Sequence, residues 1–118
     1  MRPFSPRQLI VAGCVVLYLT LVAVVADAQA GRAQARAAIC SVFGARCQLA
    51  LEVARCETGG TFYSRSVGDA GERGLFQIHP VHFGWVNESR LFEPLYNARI
   101  AFRLSHGGRD WSPWSCRP

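Results

Sequence analysis

Residues 46–60, RCQLALEVARCETGG, combine a helical pattern with an abrupt stop. Apolar residues recur there at positions i, i+3, i+4 and i+7, which is the spacing of one face of an α-helix. They are Cys47, Ala50, Leu51 and Ala54. The pair Gly59-Gly60 ends the pattern. The stretch therefore predicts a helix of about three turns from Arg46, with Glu57 on its last turn.

The position of Glu57 predicts an unusual carboxyl group. The C-terminal end of a helix is the negative end of its dipole, which disfavours an ionised carboxylate, and apolar neighbours act in the same direction. Both effects raise the pKa of the carboxyl. A carboxylic acid that is still protonated near neutral pH can donate its proton to the leaving oxygen of a glycosidic bond. The alternative is a solvated helix-end glutamate without a catalytic role.

The chain after this helix predicts a long loop and one further helix. Residues 61–74 are polar and rich in glycine, which favours a glycine-rich loop or an irregular hairpin that can lie over a groove. From Pro94 the apolar residues return to helical spacing until about Ser105, where Gly107-Gly108 ends them. The sequence therefore predicts two helices separated by a long loop.

The N-terminal quarter predicts an export or membrane segment. Arg2 and Arg7 precede the uncharged stretch from Leu9 to Ala26, which as a helix would be about 27 Å long. Residues 1–28 are therefore a signal peptide or an N-in membrane anchor, and both interpretations stay open. Residues 29–38, small and dotted with arginine, are predicted as a linker, in which residues 31–38 form a tether or a frayed helix. Residues 39–118 are predicted as the folded domain.

The cysteines indicate an oxidising compartment. Cys14 lies inside the apolar segment, and four cysteines remain on the exported side. In a small exported domain this favours two disulfides. Sequence allows three pairings, of which we favour Cys40–Cys47, closing a short loop, and Cys56–Cys116, tying the chain end to the neighbour of Glu57. The absence of a CxxC pair argues against zinc, and we predict no metal and no cofactor.

The charge pattern argues against nucleic acid as a partner. The formal charge is +5 and all thirteen basic residues are arginine, but they form no compact basic block. Scattered positive charge on an exported domain suits an anionic envelope surface or polymer through non-specific attraction.

Three motifs in order resemble those of the lytic transglycosylase (SLT) family. They are CETGG at 56–60, GERGLFQIHP at 71–80 and EPLYNA at 93–98. The resemblance spans Leu49 to Trp114, behind an export signal. The family's late tyrosine motif is missing. Instead WSPW stands at 111–114, as in short secreted actinobacterial or phage-type versions.

The resemblance implies a mostly α fold, a small lysozyme-like domain that acts on peptidoglycan glycan strands. In this family the glutamate, here Glu57, is first a general acid on the bond between N-acetylmuramic acid and N-acetylglucosamine, then a base that leaves a 1,6-anhydro end. Two alternatives stay open. A lysozyme-type hydrolase would use a second carboxylate, Asp69 or Glu72. A non-catalytic wall-binding module would keep the groove without activity.

By the same matching, Thr58 and Gln77 correspond to the family's hydroxyl and sugar-facing amide. Phe76, Ile78 and Trp111 are further candidates for substrate contact, each with a place in the core as its alternative. Asn97 corresponds to a chiefly structural asparagine. We expect the protein to be secreted or membrane-anchored, facing the cell wall or periplasmic side, with membrane contact through the N-terminal segment if it is not cleaved.

Overall fold

The computed structural model describes all 118 residues, in two compact units, 1–30 and 31–118. Three α-helices run over Pro6–Phe43 (α1), Cys47–Glu57 (α2) and Pro94–Leu104 (α3). Short 3₁₀ helices cover Gly44–Arg46, Pro80–His82 and Glu88–Phe92. The chain contains no β-strand, and the prediction of a mostly α fold after an N-terminal hydrophobic helix is confirmed.

The apolar part of α1 is exposed along its length. This helix is long and apolar enough to cross a membrane, and its apolar window is not buried by the rest of the protein. Because an exposed apolar surface of this size is unfavourable in water, it suits a lipid environment or a signal segment.

Residues 29–38, predicted as a linker, are helical, and residues 31–38 belong to the second compact unit. Alanine, arginine and glutamine are strong helix formers, so this composition continues the helix rather than breaking it. Ala35, Ile39 and Phe43 follow one another at four-residue spacing and are all buried. The last turns of α1 therefore form part of the folded domain.

Helices α2 and α3 bury one face each, at the positions predicted from their spacing. The buried residues of α2 are Cys47, Ala50, Leu51, Val53 and Ala54, and those of α3 are Asn97, Ala98, Ile100 and Ala101. Alanine occurs on the buried face of each helix, and such small residues let neighbouring segments of the chain pack closely. Pro94 occupies the first turn of α3, where its missing N–H costs nothing.

An aromatic cluster fills the centre of the domain. The segment between α2 and the 3₁₀ helix Pro80–His82 is called the central loop. Phe43 from α1, Phe76 from the central loop and Trp111 from the tail lie with ring centroids 5.6–6.1 Å apart. Trp114 packs against Trp111 at 5.1 Å and donates a hydrogen bond from Nε1 to the Phe76 carbonyl at 2.8 Å. The cluster thus joins three distant parts of the chain.

Asn97 holds the central loop onto α3. Its side-chain oxygen accepts from the Phe76 N–H at 2.9 Å, and its Nδ2 donates to the carbonyls of Arg73 (3.0 Å) and Leu91 (2.9 Å). Gly74 (φ +79°) lies so close that a Cβ there would collide with the Asn97 amide and the Leu91 carbonyl. The loop itself is an irregular hairpin, in which Arg73 pairs with Val67 and Ile78 through isolated antiparallel bridges.

Two disulfides close the domain in the pairing favoured from sequence. Cys40–Cys47 links the end of α1 to the start of α2, and Cys56–Cys116 ties the last turn of α2 to the C-terminal tail. The second bridge fixes the tail beside Glu57, which is the residue after Cys56.

Candidate functional site

Glu57 lies on the wall of an open cleft of about 310 Å³. Three parts of the chain form this cleft: the end of α2, the glycine-rich loop and the C-terminal tail. The lining residues are Glu57, Gly68, Asp69, Glu72, Gln77, His79, Pro113, Trp114 and Ser115. The prediction that the glycine-rich loop lies over a groove beside Glu57 therefore agrees with the structure.

The Glu57 carboxyl is half-buried and held by one backbone donor. The Cys116 N–H donates to Glu57 Oε1 at 3.1 Å. Burial raises the pKa of Glu57 above its ordinary value of 4.5, the hydrogen bond from Cys116 opposes this, and the nearby charge of Glu72 raises the pKa further. The raised pKa keeps part of the Glu57 population protonated at a pH where an exposed glutamate is ionised.

Two further carboxylates share the cleft. Glu72 Oε2 accepts a hydrogen bond from the Ala70 N–H at 3.0 Å, which fixes its side chain within the loop. Asp69 is exposed at the rim. The site thus contains three carboxyl groups, of which Glu57 and Glu72 are partly buried and Asp69 is exposed.

Gln77 lines the cleft in a constrained conformation. Its φ of +46° is rare for a residue with a side chain. Its Nε2 donates to the carbonyls of Gly74 at 2.8 Å and Ser66 at 3.2 Å. Gln77 Oε1 faces Gly68, where an added Cβ would come within 2.6 Å of it. Gly68 therefore leaves space for the side-chain oxygen Oε1 of Gln77, which is a hydrogen-bond acceptor on the cleft wall.

Thr58 is buried, and both hydrogen-bonding functions of its hydroxyl are used inside the protein. The hydroxyl donates to the Ala54 carbonyl at 2.8 Å and accepts from the Phe62 N–H at 2.9 Å. These bonds end α2 and set the direction of the chain behind Glu57. Thr58 does not line the cleft, and its contact with substrate stays a prediction.

Three aromatic and aliphatic candidates for sugar contact are core residues. Phe76 and Ile78 are at most 1% exposed and Trp111 is 7% exposed, because all three pack in the central hydrophobic core. None lines the Glu57 cleft. The structure places these three side chains in the core and not beside Glu57, while Ile78 also reaches a smaller neighbouring cleft, and their contact with substrate stays a prediction. Trp114, a neighbour of Trp111, contributes to the cleft wall instead.

A family model described as "SLT_3: Lysozyme like domain" matches residues 32–116. The chain belongs to this lysozyme-like family. No curated protein and no solved structure matches the chain. The lysozyme-like SLT domain suggests a cell-wall protein that acts on peptidoglycan glycan, of the lytic transglycosylase or lysozyme type. The resemblance seen in the three sequence motifs is thereby confirmed at the level of the family.

Several groups of the lysozyme-like cleft carry no sequence signal. The Cys116 N–H is a backbone donor, which every residue except proline has, so the residue type at position 116 does not predict it. Pro113, Ser115 and His79 reach the cleft through the folding of the tail and of the loop. The favoured bridge from Cys56 to Cys116 was the one clue that the tail returns to Glu57.

Proposed function

We propose that the domain is a peptidoglycan lytic transglycosylase with Glu57 as its single general acid and base. Family membership supports the substrate class. The observation that carries the proposal is the state of Glu57: a half-buried carboxyl with raised pKa on the wall of an open cleft. A general acid must be protonated and must be accessible to the bond that it cleaves, and the raised pKa of Glu57 and its place on the cleft wall support this role.

The reaction follows from one carboxyl acting twice. Protonated Glu57 gives its proton to the glycosidic oxygen between N-acetylmuramic acid and N-acetylglucosamine, and the C1–O bond breaks. The resulting Glu57 carboxylate then takes the proton of the muramic acid's 6-hydroxyl as that oxygen bonds to C1. The Cys116 N–H, which donates to Oε1, holds the carboxyl in place and favours the ionised intermediate state. The acid is regenerated and a 1,6-anhydro end leaves.

Lysozyme-type hydrolysis is the second candidate, and the two acidic residues of the loop favour it. Glu72 and Asp69 line the same cleft as Glu57, and the Glu72 charge is close enough to raise the pKa of Glu57. A second carboxylate across the sugar could activate water or stabilise the developing positive charge, as in hydrolases with two carboxyl groups. The products then carry reducing ends.

We place the lysozyme-like domain outside the cytoplasmic membrane. Two disulfides need an oxidising compartment, and a peptidoglycan substrate lies there. The apolar helix α1 would deliver the domain as a signal segment or hold it at the membrane as an anchor.

Product analysis tests the reaction class. Purified peptidoglycan is digested with the full-length oxidised chain in mild detergent, and the released muropeptides are analysed by mass spectrometry. Glu72→Gln and Asp69→Asn are run beside the wild type. We expect anhydro-muropeptides from all three. Reducing-end products that are lost in Glu72→Gln or Asp69→Asn would establish the hydrolase. Binding of glycan without cleavage at any pH, by folded protein, would establish a wall-binding module.

A further inference from the structure

A second, smaller cleft adjoins the Glu57 cleft. The two share Gln77, His79, Pro113 and Trp114, and the second is extended by Ile78, His82 and Leu104. Because four residues line both, the surface groove continues past Gln77 and His79 towards the 3₁₀ helix Pro80–His82. A polymeric substrate that enters at Glu57 can therefore extend along this direction.

An exposed tryptophan, Trp85, lies beside His82, which lines the second cleft. Trp85 follows the 3₁₀ helix, and its backbone N–H donates to the His82 carbonyl at 3.2 Å. Its indole meets the His82 imidazole edge-on, with ring centroids 5.7 Å apart. Trp85 is 45% exposed, whereas Trp111 and Trp114 are buried. It is the tryptophan with substantial surface open to a ligand.

The indole of Trp85 is held in place by polar neighbours. The Arg103 guanidinium from α3 lies 4.7 Å from the ring centroid, in cation–π contact. His82 on the other neighbouring element restricts the ring further. A large rigid aromatic surface at the end of a polar groove binds with little loss of side-chain entropy, and it offers an apolar face beside hydrogen-bonding groups.

We propose that Trp85, with His82 and Arg103, forms a distal sugar-binding subsite that stacks against a pyranose ring of the same glycan strand whose bond lies at Glu57. The inference rests on the proposed function and names a substrate contact for it. Sugar rings present an apolar C–H face and polar edges, so they match an indole that is flanked by an imidazole and a guanidinium. The polar neighbours and the continuity with the catalytic cleft favour glycan over a lipid surface.

The test measures the binding of N-acetylglucosamine oligomers by calorimetry. The full-length chain carries Glu57→Gln so that no probe is consumed, and the probes are the tetramer and the hexamer. We expect the hexamer to bind more tightly than the tetramer. Trp85→Ala should weaken hexamer binding about three- to tenfold, with a smaller loss for the tetramer. Trp85→Phe, which keeps a stacking face, should restore part of the affinity.

The control variant is Tyr63→Ala, which removes an exposed aromatic side chain that lines neither cleft. Its hexamer affinity should equal that of the parent. Unchanged hexamer binding in Trp85→Ala would overturn the subsite while leaving the proposed function intact. A loss of binding to anionic lipid vesicles, with glycan binding unchanged, would overturn it in favour of a membrane contact. No binding of any oligomer by the folded parent, or full cleavage activity in Glu57→Gln, would overturn the proposed function itself.

Discussion

The two disulfides offer a matched pair of perturbations, because they close very different lengths of chain. Cys56–Cys116 spans 60 residues and Cys40–Cys47 spans 7. A cross-link stabilises mainly by removing conformational freedom from the unfolded chain, and the gain grows with the logarithm of loop length. By this relation the long loop contributes about 4 kcal/mol and the short one about 2 kcal/mol at 25 °C. We expect Cys56→Ser/Cys116→Ser to lose about 2 kcal/mol more stability than Cys40→Ser/Cys47→Ser.

The same pair should separate stability from activity. Cys116 carries the N–H that holds Glu57, and the three residues before it line the cleft. Cys47 begins α2 and Glu57 ends it, so about 15 Å of helix separates the short bridge from the carboxyl. Opening the long bridge should therefore abolish most glycan cleavage even under conditions where the domain is folded. Opening the short bridge should leave cleavage near the wild-type rate.

Urea unfolding followed by tryptophan fluorescence measures the stability difference. All three tryptophans lie in the unit 31–118, so the signal reports the folded domain and not the apolar helix. Cleavage rates are then compared in buffer without urea, at a temperature at which both double variants are folded. Equal losses of stability, or equal activity in the two folded variants, would refute the reasoning.

Two further predictions concern the loop anchor and the acid. Asn97→Ala should lower the free energy of unfolding by about 3 kcal/mol, because it leaves the Phe76 N–H and the Leu91 carbonyl without their partner in the core. The Arg73 carbonyl keeps its bond from the Ile78 N–H. Urea unfolding of Asn97→Ala beside Asn97→Asp measures the loss. Burial raises the pKa of the Glu57 carboxyl above 4.5. The protonated carboxyl therefore makes its full contribution to the stability of the folded state below pH 4.5, and this contribution is lost as the pH rises through the pKa of Glu57 in the folded state. The stability of Glu57→Gln relative to wild type should consequently increase from pH 4 to pH 7, and a constant difference would contradict the raised pKa.

The sequence predicted those features of the domain that depend on local pattern. Helical spacing and terminal glycines located α2 and α3, since these signals act within a few residues. The small polar composition of residues 29–38 is compatible with a tether or a frayed helix, and it does not reveal that Ala35 and Ile39 share one buried face. A short alanine-rich segment becomes core when a partner surface covers it, and that surface lies far along the chain.

Side-chain roles in the site were harder to predict than the site itself. Motif order identified Glu57 and Gln77, which line the cleft, but it does not reveal which neighbours face inward. Thr58 and Trp111 are buried because the turn after α2 and the tail fold onto the core. The placement of Trp111 depends on contacts between residues more than thirty positions apart, such as Trp111 with Phe43 and Trp114 with Phe76. Single-sequence spacing contains no information on such pairs.

The central claim is that Glu57 performs the proton transfers of glycan cleavage. The most direct measurement is the initial rate of peptidoglycan cleavage by full-length Glu57→Gln, with Glu52→Gln as the control. Glu52 is an exposed glutamate on the same helix and lies outside the cleft. Tryptophan fluorescence first shows that both variants are folded. We predict that Glu57→Gln then loses about 10²–10⁴-fold in cleavage rate, whereas Glu52→Gln keeps the wild-type rate. Cleavage by folded Glu57→Gln at the wild-type rate would contradict the account.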